Sequence, residues 1–364
     1  MNKRIFLTHI VPKDKIGVLN VSAAGNYFSY NLIDNNCFDQ VWSIIPTNID
    51  EKIESNDDIN YIETRFLINK SIFKLFNTFI DNLKVFLKIK GNVNLWYYNL
   101  THQTFFLFLL FKIFKPSVKQ FVILLDFTPS KSKISLQGFI FSLINKCDGV
   151  ISLTANKFLT QENIIVLPGI VTNIKNNSRI TNINKSFILS GILSKNRCPE
   201  LILKVFSEFP EYALIITGKI EDQNLVDRYC TTFPNINYLG FLNYDDYLKE
   251  LEKATFSINS RDPEYEENLY NFPSKSIEHL MHNKILVSTM QYEELNGIEY
   301  IYVKPDLENL RKFLRELKTF ENDELITKYA NQSSKVFDLF GIDNWKKSFK
   351  KIENKNEKHD KKNI

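Results

Sequence analysis

The chain has 364 residues, of which 44% are hydrophobic and 24% charged. This length and composition exclude a largely disordered protein and predict two domains, because a single core of ordinary size does not accommodate so many apolar side chains. The net charge is +4, but the segment 346–362 carries eight Lys against three acidic residues, so the rest of the chain is nearly neutral. We interpret this basic tail as a solvated chain end, with a weak contact to an anionic membrane as the alternative, and do not infer nucleic-acid binding.

Neither cysteine usage nor hydropathy points to a secreted or membrane-spanning protein. The cysteines are isolated and show no metal-binding spacing: Cys37, Cys147, Cys198 and Cys230. The most apolar run, 105–111, is far shorter than the roughly 20 residues that a membrane-spanning helix needs. No signal peptide is evident at the N-terminus. These features predict a protein of the reducing cytoplasm.

In the first 170 residues, short apolar runs alternate with longer amphipathic runs. This pattern predicts a doubly wound α/β domain with a parallel sheet. Strands are predicted at 4–7, 41–45, 94–98, 121–125, 149–153 and 164–167. Helices are predicted at 27–33, 66–89, 103–114 and 136–146.

A polar stretch, 171–185, is predicted to link this domain to a second one at 186–335. Strands of the second domain are predicted at 186–190, 213–217, 236–238, 255–259, 285–288 and 301–303. Helices are predicted there at 199–209, 223–233, 244–253, 274–282 and 307–317. Two such folds in one chain predict a ligand in the crevice between the halves.

A helix start in the second half has the composition of a phosphate site. Pro273 suits the first helical position, which leaves free amides at the positive end of the helix dipole, beside Ser274 and Lys275. Glu278, one turn later, is placed to accept hydrogen bonds from two ribose hydroxyls. The alternative is an ordinary helix start followed by a surface carboxylate.

Two basic side chains follow the first strand of this half. Lys195 and Arg197 are predicted to project from a loop between that strand and a helix opening at Pro199. Cations at the carboxyl end of a strand can neutralise a departing diphosphate. The alternative is that both side chains are simply solvated.

The order of these motifs resembles the donor-binding half of glycosyltransferase group 1, the retaining GT-B enzymes related to family four. The resemblance covers about 186–303 and rests on Gly191, the basic loop 194–197, Ile-Thr-Gly at 216–218, Tyr-Leu-Gly-Phe at 238–241 and the Pro-Ser-Lys-x-x-Glu helix at 273–278. The segment 340–345 is similar to the family's C-terminal segment. The resemblance therefore implies a crossover helix at 336–352 that returns to the first domain, followed by a disordered basic tail at 353–364.

The resemblance also implies roles for single residues. Lys195 and Arg197 would hold the diphosphate, Ser274 and Lys275 would assist, and Glu278 would bind the ribose. Arg197 and Lys275 would act catalytically by stabilising the leaving group. The remaining donor contacts would be made by Gly191, Gly218, Gly240 and Phe241, the last two beside the base. The sequence departs from the family at Tyr270, where a glutamate is common, and at Ile192, where an arginine is common.

In the first half, the resemblance is carried by fewer residues. Gly25 and Asn26, in the segment 23–26 between a strand and a helix, resemble the glycine loop that approaches the donor phosphates; an ordinary turn is the alternative. Asp126 stands where many relatives carry a histidine, and it either orients the acceptor hydroxyl and takes its proton or caps a helix. Asn99 and His102 follow another strand and are candidates for contact with the acceptor.

Two features of the sequence bear on binding of a metal ion and of a membrane. His279 and His282 have the spacing of a metal pair, but no third ligand and no Asp-x-Asp motif accompanies them, so no metal is predicted. The segment 66–90 combines Phe and Leu with several Lys. It predicts a basic amphipathic helix, or pair of helices, that either packs into the core or makes peripheral contact with an anionic bilayer.

The expected function is transfer of a sugar from a nucleoside-diphosphate sugar to a saccharide or lipid-linked saccharide, with retention of configuration as the resemblance implies. The expected setting is the synthesis of capsule, lipopolysaccharide or another surface polysaccharide, in the cytoplasm or at the inner face of its membrane. Two alternatives stay open. One is a nucleotide-sugar epimerase of the same fold, and the other is a non-catalytic GT-B adaptor in a membrane assembly.

Overall fold

The computed structural model describes residues 2–16, 22–45, 53, 58–62, 71–125, 135–155, 158–172 and 182–360. Side chains are not described at 23, 71–74 and 356–360. The chain divides into two compact units. Unit 1 comprises Met1–Ile170 with Ile342–Ile364, and unit 2 comprises Val171–Gly341.

Unit 1 is built on a seven-stranded parallel sheet in the order β3-β2-β1-β4-β5-β6-β7. Its strands are β1 (Lys3–Thr8), β2 (Gln40–Ile44), β3 (Ile59–Ile62), β4 (Val93–Tyr98), β5 (Lys119–Leu124), β6 (Gly149–Ser152) and β7 (Ile164–Val166). Its first four helices are α1 (Ala23–Asp34), α2 (Ser71–Lys88), α3 (Phe105–Phe114) and α4 (Leu136–Ile144).

Both faces of this sheet are buried, as expected of a parallel sheet. Alternate residues of β1 serve opposite cores: Ile5 and Leu7 pack with α2, α3 and α4, whereas Phe6 packs with α1 and with the last helix of the chain. Side chains two residues apart along a strand point to the same face, so the single apolar run of β1 contributes side chains to both cores.

The last helix, α12 (Ile342–Asp360), belongs to unit 1. Trp345 and Phe349 are fully buried against the sheet, and the indole of Trp345 donates to the Gly169 carbonyl at 2.8 Å. The Glu353 carboxylate accepts a bidentate hydrogen bond from Arg4, from Nε to Oε1 at 2.8 Å and from Nη2 to Oε2 at 2.6 Å, and another from the Trp96 indole at 2.9 Å. The helix extends to Asp360, so 353–360 is helical where the sequence predicts a disordered tail, and Glu353 ties the helix to the sheet at the start of that segment.

Unit 2 has a six-stranded parallel sheet in the order β10-β9-β8-β11-β12-β13. Its strands are β8 (Ser186–Leu193), β9 (Ala213–Ile220), β10 (Ile236–Tyr238), β11 (Phe256–Asn259), β12 (Ile285–Ser288) and β13 (Ile301–Tyr302). Its helices are α5 (Pro199–Ser207), α6 (Gln223–Thr232), α7 (Tyr244–Lys253), α8 (Ser274–Met281), α9 (Leu307–Glu316), α10 (Asn322–Leu325) and α11 (Ser333–Phe340).

Several elements differ from those predicted. The strand β3 was not predicted, and β8 and β9 run about three residues further than expected, to Leu193 and Ile220. The predicted crossover helix is two helices, because α11 ends at Phe340 and α12 begins after Gly341. Most of the predicted linker, 173–181, lies outside the described residues. No helix in the described ranges combines the length and apolar character needed to cross a bilayer.

Candidate functional site

The strand order of unit 2 reverses between β8 and β11. From β8 the chain moves outward through β9 to β10, then returns to β11 on the other side and continues to β13. In open α/β sheets, ligands bind beyond the carboxyl ends of the strands at such a reversal. The loops that follow β8 and β11 are therefore the first place to look for a site.

These two loops are joined by hydrogen bonds. The Asn196 carbonyl accepts from the Asp262 amide at 2.9 Å and from the Asn268 side chain at 2.9 Å, and the Ser260 hydroxyl donates to the Arg197 carbonyl. Asn196 is the middle residue of a short 3-10 turn, Lys195–Arg197, rather than of an irregular loop. The turn carries the exposed Lys195 and the half-buried Arg197 at this edge of the sheet.

Glycines lie at the ends of β8 and β9. Gly191 and Gly218 are register partners on the two strands, with φ of +117° and +124°, whereas the predicted strands end one residue before each of them. The Gly218 amide donates at 2.9 Å to the carbonyl of Gly240, which has φ +74° and follows β10. The next residue, Phe241, is 74% exposed. The structure thus brings three of the predicted glycines together beside an exposed aromatic ring.

The helix α8 brings Lys275 and Glu278 to the same edge. A methyl group built on Gly191 would lie 3.7 Å from Cδ of Lys275, so this lysine passes close to the end of β8. The Lys275 ammonium lies 3.5 Å from Oε2 of Glu278 and 4.1 Å from the centroid of the Tyr247 ring. The Tyr247 hydroxyl donates to the same oxygen of Glu278 at 3.0 Å. Tyr247, in α7, was not predicted as a site residue.

These contacts determine where the protons lie. Tyr247 has one hydroxyl proton, and it goes to the Glu278 carboxylate, which only accepts. The Nε2 atom of the buried His279, 3.1 Å from the Tyr247 oxygen, must then carry the proton between them. Ser190 contacts the same nitrogen at 3.2 Å. Burial lowers the pKa of His279, so its ring is neutral at neutral pH and supports Tyr247, which in turn orients Glu278.

Glu278 stays ionised despite its burial. Burial alone raises the pKa of its carboxyl, but the charge of Lys275 and the hydrogen bond from Tyr247 act in the opposite direction and hold that pKa below its usual value. The site therefore presents an ammonium and a carboxylate side by side at neutral pH. Such a pair suits a ligand that carries both an anionic group and hydroxyl donors.

We expect Tyr247→Phe to loosen Glu278 without disrupting the fold. The ring stays under Lys275, but one hydrogen bond to a charged group is lost, at a cost of about 2 kcal/mol. The pKa of Glu278 should rise, because the bond from Tyr247 lowers it. Urea unfolding and a carboxyl-carbon NMR titration of labelled glutamate measure the two effects. Tyr302→Phe, at a residue with 45% exposure, is the control, and an unchanged Glu278 titration in Tyr247→Phe would contradict the assignment.

A buried arginine holds the loop that leads into α8. Arg261 is 5% exposed and donates at 2.8 Å to the Asn271 carbonyl and at 3.3 Å to Oδ1 of Asn268. Pro273 is the N-cap of α8 instead of its first residue, so the helix begins at the exposed Ser274. The amides of Ser274 and Lys275 have no acceptor within the helix, as at any helix start. Arg261 was also missed by the sequence analysis.

In unit 1, the predicted glycine loop is the first turn of α1. Ser22 is the N-cap, and its hydroxyl accepts from the Gly25 amide at 3.2 Å. Asn26 is 4% exposed, and its side chain accepts from the Val11 amide at 2.9 Å and donates to the Ser22 carbonyl at 2.8 Å. A methyl group at Gly25 would lie 2.5 Å from the Tyr98 hydroxyl. Gly25 thus makes room for Tyr98, and Asn26 ties the helix start to the loop after β1.

The strand order of unit 1 reverses between β1 and β4, and histidines follow both strands. His9 donates through Nδ1 to the Ile44 carbonyl at 2.9 Å and accepts through Nε2 from the Thr101 hydroxyl at 3.2 Å. His102, which follows Thr101 in the sequence, is exposed. Asn99 has φ +49°, and its side-chain oxygen accepts from the Leu125 amide at 2.8 Å, which joins the ends of β4 and β5. Asp126 lies outside the described residues.

We expect His9, which is half-buried, and His279, which is buried, to make the protein sensitive to mild acid. Burial lowers the pKa of His9 to about 4 and of His279 to about 3, from 6.5 in the unfolded chain. Below pH 6.5 the unfolded chain binds protons that the folded chain does not, so the free energy of unfolding falls toward pH 4. With both groups titrating, the slope approaches about 2.7 kcal/mol per pH unit. Urea unfolding across this window measures the slope. It should roughly halve in His9→Gln; an unchanged slope would exclude His9 as a cause.

The candidate metal pair has other contacts. His279 uses Nε2 toward Ser190 and Tyr247, and His282 is buried at the end of α8. Across the described ranges, no group of three or more His, Cys, Asp or Glu side chains is arranged to hold a metal ion. The chemistry that these residues offer is charge neutralisation and hydrogen bonding.

No protein-family model matches the chain, and no curated protein matches it in sequence. Solved structures match nearly its full length. A glycosyltransferase from Rickettsia africae ESF-5 has a TM-score of 0.67 at 13% identity, covering 98% of this chain and 99% of its own. An α,α-trehalose-phosphate synthase (UDP-forming) from Burkholderia xenovorans, in complex with glucose-6-phosphate, has 0.68 at 8%, covering 96% and 99%. A UDP-GlcNAc 2-epimerase from Neisseria meningitidis, bound to UDP-GlcNAc, has 0.56 at 11%, covering 97% and 100%. With two all-parallel sheets, this likeness shows the GT-B fold of two Rossmann-like domains.

Proposed function

We propose that the protein is a metal-independent glycosyltransferase that uses a nucleoside-diphosphate sugar as donor. The observation that carries this proposal is the arrangement of Lys275 and Glu278 at the start of α8 with Tyr247 of α7, beside Gly191 near the end of β8. A nucleoside diphosphate joins an anionic diphosphate to a ribose. The site offers a matching pair of groups, because the Lys275 ammonium lies 3.5 Å from the Glu278 carboxylate, which accepts hydrogen bonds from hydroxyls.

In this assignment the diphosphate lies against Lys275 and the first amides of α8, including that of Ser274. Backbone amides and the helix dipole both favour an anion at a helix start. Gly191 has no side chain between β8 and Lys275 to keep a phosphate away, and Gly218 lets the backbones of β8 and β9 approach closely there. Lys195 and Arg197, on the turn after β8, neutralise the charge that develops when the bond from the sugar to the phosphate breaks. The base lies by Gly240 and Phe241, whose exposed ring offers a stacking surface.

The ribose assignment follows from the state of Glu278. An ionised carboxylate accepts two hydrogen bonds from neighbouring hydroxyls, and the chain from His279 through Tyr247 keeps it oriented. The comparisons support a donor of this kind, because the Burkholderia protein is described as UDP-forming and the Neisseria protein as bound to UDP-GlcNAc. The epimerase superposes less well, at 0.56 against 0.67 and 0.68, which favours the transferase over the epimerase.

We assign the acceptor, a saccharide or lipid-linked saccharide, to the strand reversal of unit 1. His9 follows β1 there, and Thr101 and His102 follow β4 on the turn that Asn99 shapes. We keep Asp126 as the group that orients the acceptor hydroxyl and takes its proton as the new glycosidic bond forms. By its resemblance to group 1 enzymes, the reaction retains configuration and serves surface-polysaccharide synthesis in the cytoplasm, at the inner face of the membrane.

Calorimetric titration with UDP, GDP, ADP and CMP, each with Mg²⁺ and with EDTA, tests the donor site. Binding of one diphosphate that EDTA does not weaken supports the proposal and names the base. Absence of binding to all four would favour a non-catalytic adaptor. Incubation with the matching nucleotide-sugar alone then separates the remaining alternatives, because an epimerase converts the free donor and a transferase needs an acceptor.

A further inference from the structure

We propose that the outer face of α2, α3 and α4 docks the protein on an anionic lipid bilayer. These three helices cover the same face of the unit 1 sheet, since Val85, Phe108 and Leu143 share one core cluster. The inference rests on this helical layer alone and does not depend on the proposed glycosyl transfer.

The helices lie side by side. Phe86 of α2 packs on Phe111 of α3, with ring centroids 4.9 Å apart, and Phe105 of α3 meets Phe139 of α4 at 6.4 Å. The Lys115 ammonium donates to the Phe86 and Ile89 carbonyls at 3.3 and 2.8 Å, which fixes the end of α2 against α3. The helix α2 alone, with 18 residues, is about 27 Å long. The layer therefore presents a broad surface rather than a groove.

The outward side of this layer is apolar. Large side chains are exposed on every helix: Phe76 and Leu87 on α2, Ile113 and Phe114 on α3, and Leu136 and Phe139 on α4. Leu87, Ile113 and Phe114, at the C-terminal ends of two neighbouring helices, are between 63% and 66% exposed, and exposed apolar patches mark interaction surfaces. In α3, the sole charged residue is Lys112.

The charges among these side chains are almost all positive. Lys84, Lys88, Lys112 and Lys146 are exposed on or just after the three helices. The only acidic residue in the three helical sequences is Asp81, whose side chain is 6% exposed and lies 3.0 Å from Lys84. The layer is thus strongly basic, although the chain without its C-terminal tail is nearly neutral.

This combination favours a bilayer over a protein partner. Protein interfaces are depleted in lysine at their centres, whereas surfaces that lie on membranes alternate apolar side chains with lysines. Lysines keep their aliphatic stems along apolar surface while the ammonium reaches outward to lipid phosphates. Leu87, Ile113 and Phe114 would enter the boundary between headgroups and acyl chains, and Lys88 and Lys112 would contact anionic headgroups.

Flotation of the full chain with lipid vesicles tests this proposal. We expect little binding to phosphatidylcholine alone and clear binding when phosphatidylglycerol is added, weakened by salt because exposed charges are screened. The variant Leu87→Ser/Ile113→Ser/Phe114→Ser should lose binding by about tenfold or more. The variant Lys88→Glu/Lys112→Glu should bind the mixed vesicles no better than the neutral ones.

Matched variants on unit 2 control for exposure and charge. Tyr302→Ser/Phe320→Ser/Leu339→Ser removes exposed apolar side chains elsewhere, and Lys249→Glu/Lys312→Glu reverses exposed lysines elsewhere; both should bind like the wild type. The proposal would be overturned if Lys88→Glu/Lys112→Glu bound the mixed vesicles as well as the wild type does. An absence of vesicle binding would also overturn it. In that case, a dimer that sedimentation detects and that the triple serine variant abolishes would show that the layer contacts a second copy of the chain instead. Nucleotide titration is independent of these readings, so failure of the docking proposal is distinguishable from failure of the proposed function.

Discussion

Glu278→Ala weakens binding of the nucleoside diphosphate by about 100-fold or more, if the carboxylate binds the ribose as proposed. Each hydrogen bond to a charged group contributes about 1.5–3 kcal/mol, and two such bonds correspond to at least two factors of ten in the dissociation constant. The Glu278 carboxylate is oriented to accept these bonds, because the Tyr247 hydroxyl donates to its Oε2 at 3.0 Å and the Lys275 ammonium lies 3.5 Å from the same oxygen. Calorimetric titration of the purified variant measures the loss.

Two variants separate the ribose contact from a loss of fold. Glu278→Gln keeps an acceptor for Tyr247 but removes the charge, so we expect a smaller loss of affinity, about tenfold. Glu316→Ala removes the acid of another Lys–Glu helix pair, on α9, where Glu316 lies 3.8 Å from Lys312, and should leave affinity unchanged. Wild-type affinity in a folded Glu278→Ala protein would rule out the ribose assignment.

Much of the architecture follows from local patterns, because each buried parallel strand is an apolar run between polar turns. The strand β10 and the helix α7 have the predicted bounds. The strand β3 is not predicted from the sequence because it has only four residues and contains Asn60, so it shows no apolar run of ordinary length. The sequence predicts a loop at the start of α1, because apolar periodicity begins only at Tyr27. The preceding serine, Ser22, was a cap signal that could have moved the boundary.

The candidate site is less visible in the sequence, because its contacts join distant segments. Tyr247 lies 31 residues before Glu278, and only the folded packing of α7 against α8 shows that its hydroxyl reaches the carboxylate. Arg261 looks like any charged residue after a strand, yet it is buried and holds the loop before α8. His9 could have been found, since it follows the first predicted strand by two residues and polar residues there lie at the carboxyl edge of the sheet.

Gly218→Ala should destabilise the protein by about 3–5 kcal/mol, because two costs combine there. An alanine at φ +124° is strained by about 1–3 kcal/mol in any surroundings. In addition, its methyl carbon would lie 1.9 Å from the carbonyl oxygen and 2.7 Å from the carbonyl carbon of Gly191, both backbone atoms of the neighbouring strand. No side chain can rotate away, so β8 and β9 must separate where they pair. Urea unfolding measures the loss.

Alanine at either of the other two glycines of the site should destabilise the protein less than alanine at Gly218. Gly240→Ala has φ +74° and open space around the new methyl group, so it should cost only the backbone strain, about 1 kcal/mol. Gly191→Ala has φ +117° and meets the Lys275 side chain at an ordinary contact distance of 3.7 Å, so it should fall between the two in stability. Because that methyl group lies beside Lys275, Gly191→Ala should also weaken diphosphate binding more than Gly240→Ala does. If Gly218→Ala were no more destabilising than Gly240→Ala, the close approach of β8 and β9 at this edge would be refuted.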